Sequence, residues 1–518
     1  MKEKMLDKSV RLDDRTGVSR RRFLQGAAAT SVLAGAALAG CAPNSKRAPS
    51  ENAWDEEFDL VVIGCGGAGA AAAIIAHDAG ASVVVLEKGD QLGGSTALCG
   101  QAIIGVNTKI QKAAGIEDTV DEALKYFMAA GDGDETLLRA MLEESGPAVD
   151  WLIDLGMQVP AEIGSPGLTM GGQEKQFAAV TKPVARTHWS VTPKPGMWPV
   201  LQQALDDRSI DTRTKTPAVT IIQNNETQEV QGVVAEDRGK KVRIKAKKAV
   251  IIAAGGYTRN PEMERRLIAK FPIITNSNIC DEGDGMNLGI GAGASVGWFG
   301  FLKNVHLAKP DSDTAVSPCL FVILGSEKME GKPPFILSNL GGKRFSNERQ
   351  FYSLVCEDLL KQPEGRAYVI TGGPAAKAGL GAAFDIAAQG DTVEQLAQKV
   401  GIDGKELALT VAEWNSNCAA GSDLSFGRKD SLFPIDTPPY YAAEVRPGTG
   451  TTFGGVLVDT KARALSAATN EPIPRLYACG NSGTFLGRYY PSCGAATCAA
   501  ITAGRLAAAD AVTLEDWK

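Results

Sequence analysis

The sequence predicts an α/β protein built on a Rossmann-like domain that is discontinuous along the chain. Three stretches carry that expectation. "DLVVIGCGGAG" leads through an Ala-rich helix pattern into "SVVVLEK"; "KAVIIAAGG" stands in mid-chain; "RLYACGN" precedes a second Ala-rich helix pattern near the C-terminus. Each is a short apolar run ending at glycine, the pattern of a buried parallel strand turning toward a helix. With 518 residues the chain can form two or more domains, and its 58 glycines, without a collagen-like repeat, suit many tight turns. A net charge of -6 gives no reason to expect nucleic acid.

Residues 1–40 read as a targeting segment and 41–55 as a linker. "SRRRFLQG" (19–26) puts adjacent arginines before the weakly apolar "AAATSVLAGAALAG", the form of a twin-arginine export signal. The run ends in "LAGC", a lipoprotein-type box, which predicts lipidation of Cys41 and an extracytoplasmic, membrane-anchored protein. The run is too short and too rich in Ala and Gly for a good spanning helix. Ten cysteines contain no CxxC and no CxxCH, so neither a zinc ribbon nor a haem-attachment site is expected, and no metal. Most of them lie in apolar runs and are expected to pack as small hydrophobes.

From Glu56 to Asp90 the order is strand, glycine turn, helix, strand, acid. Gly64, Gly66 and Gly69 form GxGxxG, with Gly67 and Ala68 between them. The first glycine makes the tight turn, the second lets the backbone approach a pyrophosphate, and the third lets the helix pack close. Glu87 ends the second strand, placed to accept hydrogen bonds from ribose hydroxyls, and Lys88 follows it. "KGDQLGGSTALCGQ" then adds Gly93, Gly94, Ser95, Thr96 and Gly100. An NAD enzyme has no need of this second glycine pair. A flavin needs further amides and hydroxyls along its ribityl and ring parts, so the expected cofactor is FAD. No second nucleotide fingerprint suggests NAD(P)H.

Further glycine turns follow at Ala254-Gly255, at Asp284 in "DEGDGMNLGIGAGA", and at Asn481 after "RLYACG". Together "GCGGAG", "EKGDQLGGST", "VIIAAGG", "GDGMNLGIGAGA", "GKRFSNE" and "LYACGN" with its following helix resemble, in this order, the fumarate reductase-like flavoproteins, which include fumarate and urocanate reductases and 3-ketosteroid dehydrogenases. The resemblance covers roughly residues 55–510. It implies an FAD-binding domain over 56–304 and 447–512 and an inserted α+β capping domain over 305–446. It also implies Ala218, Ala495 and Ala496 as cofactor neighbours.

Such enzymes add or remove hydrogen across a C–C bond beside an electron-withdrawing group, with hydride at flavin N5 and a proton from a side chain. Dicarboxylate reductases of the group carry an acid arginine eight residues after the arginine of the "GKRF" turn. Counting from Arg344, that place holds Tyr352, as in the ketosteroid dehydrogenases. Arg349 is a neighbour in sequence able to stabilise a tyrosinate or pair with a carboxylate. A second substrate arginine of the dicarboxylate enzymes falls on Pro491, and a His-containing turn falls on Thr451 and Thr452. In their stead stands "YPSCG". By resemblance Tyr490 and the amide of Gly494 grip a substrate ketone, at the start of a helix whose N-terminus favours negative charge. His306 and Arg488 are weaker substrate candidates, and His188 reads as structural or as a wall of the flavin site.

The expected function is therefore an extracytoplasmic flavin-dependent reductase, or dehydrogenase, of a C=C bond conjugated to a carbonyl, with a 3-oxosteroid-like small-molecule substrate. The alternative is a respiratory reductase of an unsaturated carboxylate, an arylacrylate or fumarate; a third reading is a flavin relay without substrate chemistry. An exported enzyme sees little NAD(P)H, so the expected electron donor is a quinol or cytochrome partner on a separate chain.

Overall fold

The computed structural model describes residues 53–517 apart from 132, 173, 192–195, 269–272, 276, 300–301, 309–333, 351, 375–376, 378–379, 381–384, 430 and 488–489. The twin-arginine motif, the lipoprotein box and Cys41 lie outside the described residues. No described helix is long and apolar enough to cross a membrane.

The main sheet runs in the order Arg463–Leu465, Pro472–Ala478, Lys240–Ile252, Glu56–Ile63, Val83–Leu86, Asp211–Arg213. Four of the five pairings along this order are parallel, all but that of Arg463–Leu465 with Pro472–Ala478, with Val61 opposite both Val84 and Val250, and Leu476 on the far side of Val250. Parallel strands are covered on both faces, so they read as unbroken apolar runs. Leu60, Val61, Val62, Val84, Val85, Val250, Ile251 and Ile252 are accordingly without solvent exposure. The antiparallel strands Ala218–Gln223 and Val230–Asp237 extend from the first half of Lys240–Ile252. This mixed α/β architecture with a parallel sheet is the fold class expected from the sequence.

Two helices lie together on this sheet, Gly67–Asp78 and Ala495–Ala511. Both are made of alanine and glycine on most faces, and the first is buried along almost its whole length. A Cβ on Gly504 would stand 2.2 Å from the carbonyl oxygen of Ala68. Only glycine permits that approach, because close-packed interiors leave no slack for a methyl group. The contact docks the C-terminal helix on the N-terminal fingerprint.

A second sheet is centred on Tyr440–Thr452, which pairs with Ile274–Thr275, Leu302–Ala308, Ala367–Gly372 and Ala388–Gly390. The sequence divisions at 304/305 and 446/447 fall inside two of these strands, where His306 stands opposite Gly448. Both expected boundaries therefore fall within paired strand and not in loops. A small third sheet orders Ala102–Ile104, Thr187–Trp189 and Gly167–Thr169.

The second sheet is backed by a buried ionic cluster. Arg344 pairs with Glu348 at 2.7 Å and with Asp423 at 3.0 Å; Arg428 meets Glu348 at 3.3 Å. Both guanidinium carbons sit 4.7 Å from the centroid of the Trp414 ring. Arg344 therefore anchors the region that carries Tyr352 and is not itself a substrate group. Removing one partner of a buried pair leaves an uncompensated charge, a loss of about 3–5 kcal/mol. Arg344→Met should accordingly lower the thermal unfolding midpoint, measured by circular dichroism, far more than Lys343→Met at its exposed neighbour.

Candidate active site

The glycine turn after Glu56–Ile63 is held by contacts that exclude any side chain. Gly64 has φ +97, and a Cβ there would meet the Ala253 oxygen at 2.5 Å. On Gly69 it would meet the Gly64 oxygen at 2.0 Å. On Gly66 the nearest atom would be the Gly93 oxygen at 3.9 Å, so this glycine faces open space. That space is a cleft of about 790 Å³ of empty space, its open mouth included.

Of the residues expected to hold a cofactor, Gly64, Gly66, Gly67, Ala68, Glu87, Lys88, Gly94, Ser95, Thr96, Ala218, Ala254, Gly255, Asp284 and Asn481 line this cleft. Gly69, Gly93, Gly100, Ala495 and Ala496 do not. Gly69 packs the helix against its own turn, and the Gly93 amide donates to the Cys65 oxygen at 2.7 Å. Gly100 faces the Trp189 ring, and Ala495 is fully buried at the start of its helix.

Each carboxylate oxygen of Glu87 accepts one backbone amide, Oε2 from Cys65 at 2.9 Å and Oε1 from Gly89 at 2.7 Å. Each oxygen keeps a second lone pair for a hydroxyl. Across the cleft, Lys88 bonds Asp284 at 2.8 Å and also reaches Glu282. Ser95 donates to Asp281 at 2.9 Å and accepts from the Asn278 amide at 3.1 Å. Burial pushes the Asp281 carboxyl up to about 6. These residues fit a dinucleotide: side-chain-free turns at its middle, an acid for a ribose, and polar groups from three segments along its length. Asn278, Cys280, Asp281, Pro217, Leu288, Gly480 and Ala500 also line the cleft and escaped sequence reasoning. Asp281 stands three residues before Asp284 in the same glycine turn, the one signal that could have found it.

The "YPSCG" turn is buried. Tyr490 is 5% exposed, and Gly494, with φ +84, caps the helix Ala495–Ala511. A Cβ on Gly494 would lie 2.8 Å from the Ile103 nitrogen, so glycine is required by both conformation and space. The Gly494 amide donates to the Tyr490 hydroxyl oxygen at 3.1 Å. The two groups named from the sequence thus stand at hydrogen-bond distance from each other. Three further bonds hold the turn: Tyr126 Oη to the Pro491 oxygen at 2.6 Å, the Cys493 amide to the Gly171 oxygen at 3.0 Å, and Thr187 Oγ1 to the Cys493 oxygen at 3.0 Å.

The other candidates are spread more widely. Tyr352 is the first residue of the helix Tyr352–Leu360, which packs on the strand carrying His306. The side chains of Tyr352 and His306, like the whole of Arg488 and Tyr489, lie outside the described residues. Arg349 is half-buried, and its positive charge helps to push Arg428 down, after the larger effect of burial. Thr451 accepts from Asn481 Nδ2 at 2.6 Å and Thr452 from the Tyr257 amide at 3.2 Å, so two neutral hydroxyls occupy this position. His188 is fully buried, with Nε2 2.8 Å from Thr108 Oγ1 and Nδ1 2.8 Å from the Arg186 oxygen, an interior neutral imidazole. Cys65, Cys479 and Cys498 are buried free thiols, as small hydrophobes would be, and Cys356 and Cys493 are buried too. Among the described residues no His, Cys, Asp and Glu cluster could hold a metal ion.

The family model described as an FAD binding domain matches residues 59–497. A probable fumarate reductase of Shewanella frigidimarina (strain NCIMB 400) is 30% identical over 432 residues, 82% of this chain and 70% of that protein. A digoxin reductase of Eggerthella lenta is 29% identical over 560 residues, 97% of this chain and 98% of the relative. The structure of 3-ketosteroid delta1-dehydrogenase from Sterolibacterium denitrificans superposes with a TM-score of 0.76 at 24% identity, covering 88% of this chain and all of that one; at this identity the likeness is one of fold.

Two outcomes follow from this geometry. Gly69→Ala should yield protein with little bound flavin, read as the ratio of flavin to protein absorbance, because the added methyl cannot fit under the Gly64 carbonyl. His188 binds its proton near pH 6.5 when unfolded but, owing to burial, only near 4 when folded. Over that interval the unfolded chain holds more protons, so stability falls as pH drops. The slope is about 1.4 kcal/mol per pH unit for this one group. In His188→Gln that component should vanish, and the difference in unfolding midpoint between the two proteins should narrow as pH is lowered from 6.5 to 4.

Proposed function

The chain belongs to the FAD-binding family and is an FAD-dependent oxidoreductase, and from that premise we propose that it reduces a C=C bond conjugated to a ketone, in a bulky apolar substrate of the 3-oxosteroid type. The bound flavin supplies hydride chemistry at its N5. The protein residues hold the carbonyl oxygen and move the proton.

One observation carries this reading. The Tyr490 hydroxyl and the Gly494 amide are 3.1 Å apart, in a buried turn at the N-terminus of a 17-residue helix. An oxygen placed against both receives an O–H and an N–H donor, and the helix dipole favours the negative charge that develops on it. The amide donates to the phenol oxygen itself, which keeps the two donors gathered. On substrate binding the hydroxyl turns toward the carbonyl oxygen and the amide changes partner. Tyr352, at the start of the helix Tyr352–Leu360, is the proposed proton donor to the α-carbon. The same groups serve dehydrogenation in the reverse direction. His306, Arg349 and Arg488 remain proposed substrate neighbours.

The second reading is an unsaturated carboxylate, for which the relative named a fumarate reductase speaks. The hydroxyls of Thr451 and Thr452 speak for the first, since a carboxylate clamp calls for cationic donors. We further propose that Cys41 anchors the protein outside the cytoplasm and that a separate quinol- or cytochrome-linked chain supplies electrons, because the sequence holds neither a haem motif nor a second nucleotide fingerprint.

Residues 42–518, loaded with FAD and reduced anaerobically by dithionite, should be rapidly reoxidised by a 3-oxo-4-ene steroid and slowly by an arylacrylate or fumarate. The opposite order would assign the site to a carboxylate. With the steroid, Tyr490→Phe should lower the reoxidation rate about 10²–10³-fold, the usual cost of one oxyanion donor. Tyr352→Phe should lower it about 10²–10⁴-fold, as expected for a lost general acid. A flavin relay would keep its rate in both variants.

A further inference from the structure

Glu174 is a carboxylate that no step above uses, and it is 1% exposed. Its two oxygens reach two different segments. Oε2 accepts from the Gly172 amide at 2.9 Å, and Oε1 accepts from the Ser492 hydroxyl at 3.4 Å. Ser492 is itself fully buried and stands midway between Tyr490 and Gly494. Gly172 pairs with Ser492 in an antiparallel bridge. The two backbones meet with nothing between them: a Cβ on Gly172 would lie 2.3 Å from the Pro491 oxygen, and one on Gly171 2.2 Å from Thr187 Oγ1.

A buried carboxylate is costly unless it is bonded and offset by charge. Burial pushes the Glu174 carboxyl up, while hydrogen bonds from its own amide, the Gly172 amide and the Ser492 hydroxyl, with the positive charge of Arg186, oppose that push. Arg186 is 1% exposed and is bound by Asp118 through two bonds of 2.8 and 2.7 Å. Its Nη1 has no hydrogen-bond partner among the described residues. A leucine or methionine would fill this space without any of these demands. The carboxyl is placed where it can hold the residue between the two proposed donors.

We infer that Glu174 is a positioning residue: through Ser492 and Gly172 it fixes the turn so that the Tyr490 hydroxyl and the Gly494 amide converge on one substrate oxygen. This rests on the carbonyl grip proposed above. Oxyanion donors act only when held within about 0.5 Å of the productive place, and a turn free to rotate about Ser492 loses that tolerance.

The test uses the FAD-loaded protein with Glu174→Ala, Glu174→Gln, Ser492→Ala and Tyr490→Phe, and whichever of the steroid, arylacrylate and fumarate reoxidises the wild type. Glu174→Ala should lower kcat about tenfold or more with KM and flavin content little changed, as expected for a misplacement of the reacting groups. Glu174→Gln keeps an oxygen for the amide and should recover most of the rate. In a Tyr490→Phe background, Glu174→Ala should cost less than about twofold, because coupled residues are non-additive. Amide hydrogen exchange over residues 490–494 should quicken in Glu174→Ala and not in Glu174→Gln. Equal losses in both backgrounds, failure of Glu174→Gln to recover rate, or unchanged exchange would overturn the inference. If Tyr490→Phe alone leaves kcat unchanged, the carbonyl grip is what fails, and the exchange result alone decides the positioning role. If Glu174→Ala does not retain FAD, the same cycle with Ser492→Ala decides it.

Discussion

The approach of two alanine- and glycine-rich helices is the contact on which the site depends. Gly67–Asp78 and Ala495–Ala511 are far apart in sequence, yet Gly504 packs on the Ala68 carbonyl so closely that a single methyl group would part them. Through this contact the helix that follows Gly494 shares a core with the helix that follows Gly66. Ala68, Gly480, Asn481 and Ala500 can then line one cleft. Had either helix carried branched side chains on the shared face, the helices would stand farther apart, and Gly480, Asn481 and Ala500 would not share a cleft with Ala68.

The same economy of side chains recurs around the turn itself. Gly494 lies on Ile103, Gly171 on Thr187 and Gly172 on Pro491, each at a distance that excludes a Cβ. The small sheet of Ala102–Ile104, Thr187–Trp189 and Gly167–Thr169 is thereby brought against the start of the last helix. Buried polar groups hold the turn: Tyr126, Thr187 and Glu174 each bond a different part of residues 491–493. A preorganised donor pair needs such a frame, because donors that must be reordered during the reaction lose their advantage.

Charge is handled differently in the two regions. Around the cleft, acids are shared among amides, hydroxyls and one lysine, leaving lone pairs for a ligand. Beside the second sheet the acids Glu348 and Asp423 are consumed by Arg344 and Arg428, with the Trp414 ring 4.7 Å from each guanidinium carbon. The first arrangement suits binding and the second suits rigidity. Counting from Arg344 to Tyr352 in the sequence therefore links a structural anchor to a proposed catalytic position eight residues on.

The sequence by itself determined the nucleotide-binding architecture. A strand buried on both faces has to be apolar throughout, and a turn against a phosphate-sized space has to be glycine, so Glu56–Asp90, Lys248–Gly256 and Arg475–Asn481 announce themselves in the residues. Glu87, Ser95, Asp284 and Asn481 could be placed at the cleft because they sit at fixed offsets from those strands. Only the tertiary structure decided which groups from unpatterned segments arrive beside them. Asn278, Cys280 and Asp281 reach the cleft from coil, and Glu174 reaches Ser492 across more than three hundred residues. Such contacts have no period and no spacing rule; they exist only once the strands have paired. Gly93 and Ala495 show the converse. Each lies beside a glycine turn in sequence, but its backbone is spent on holding the turn's shape, so it stands behind the cleft wall and not in it.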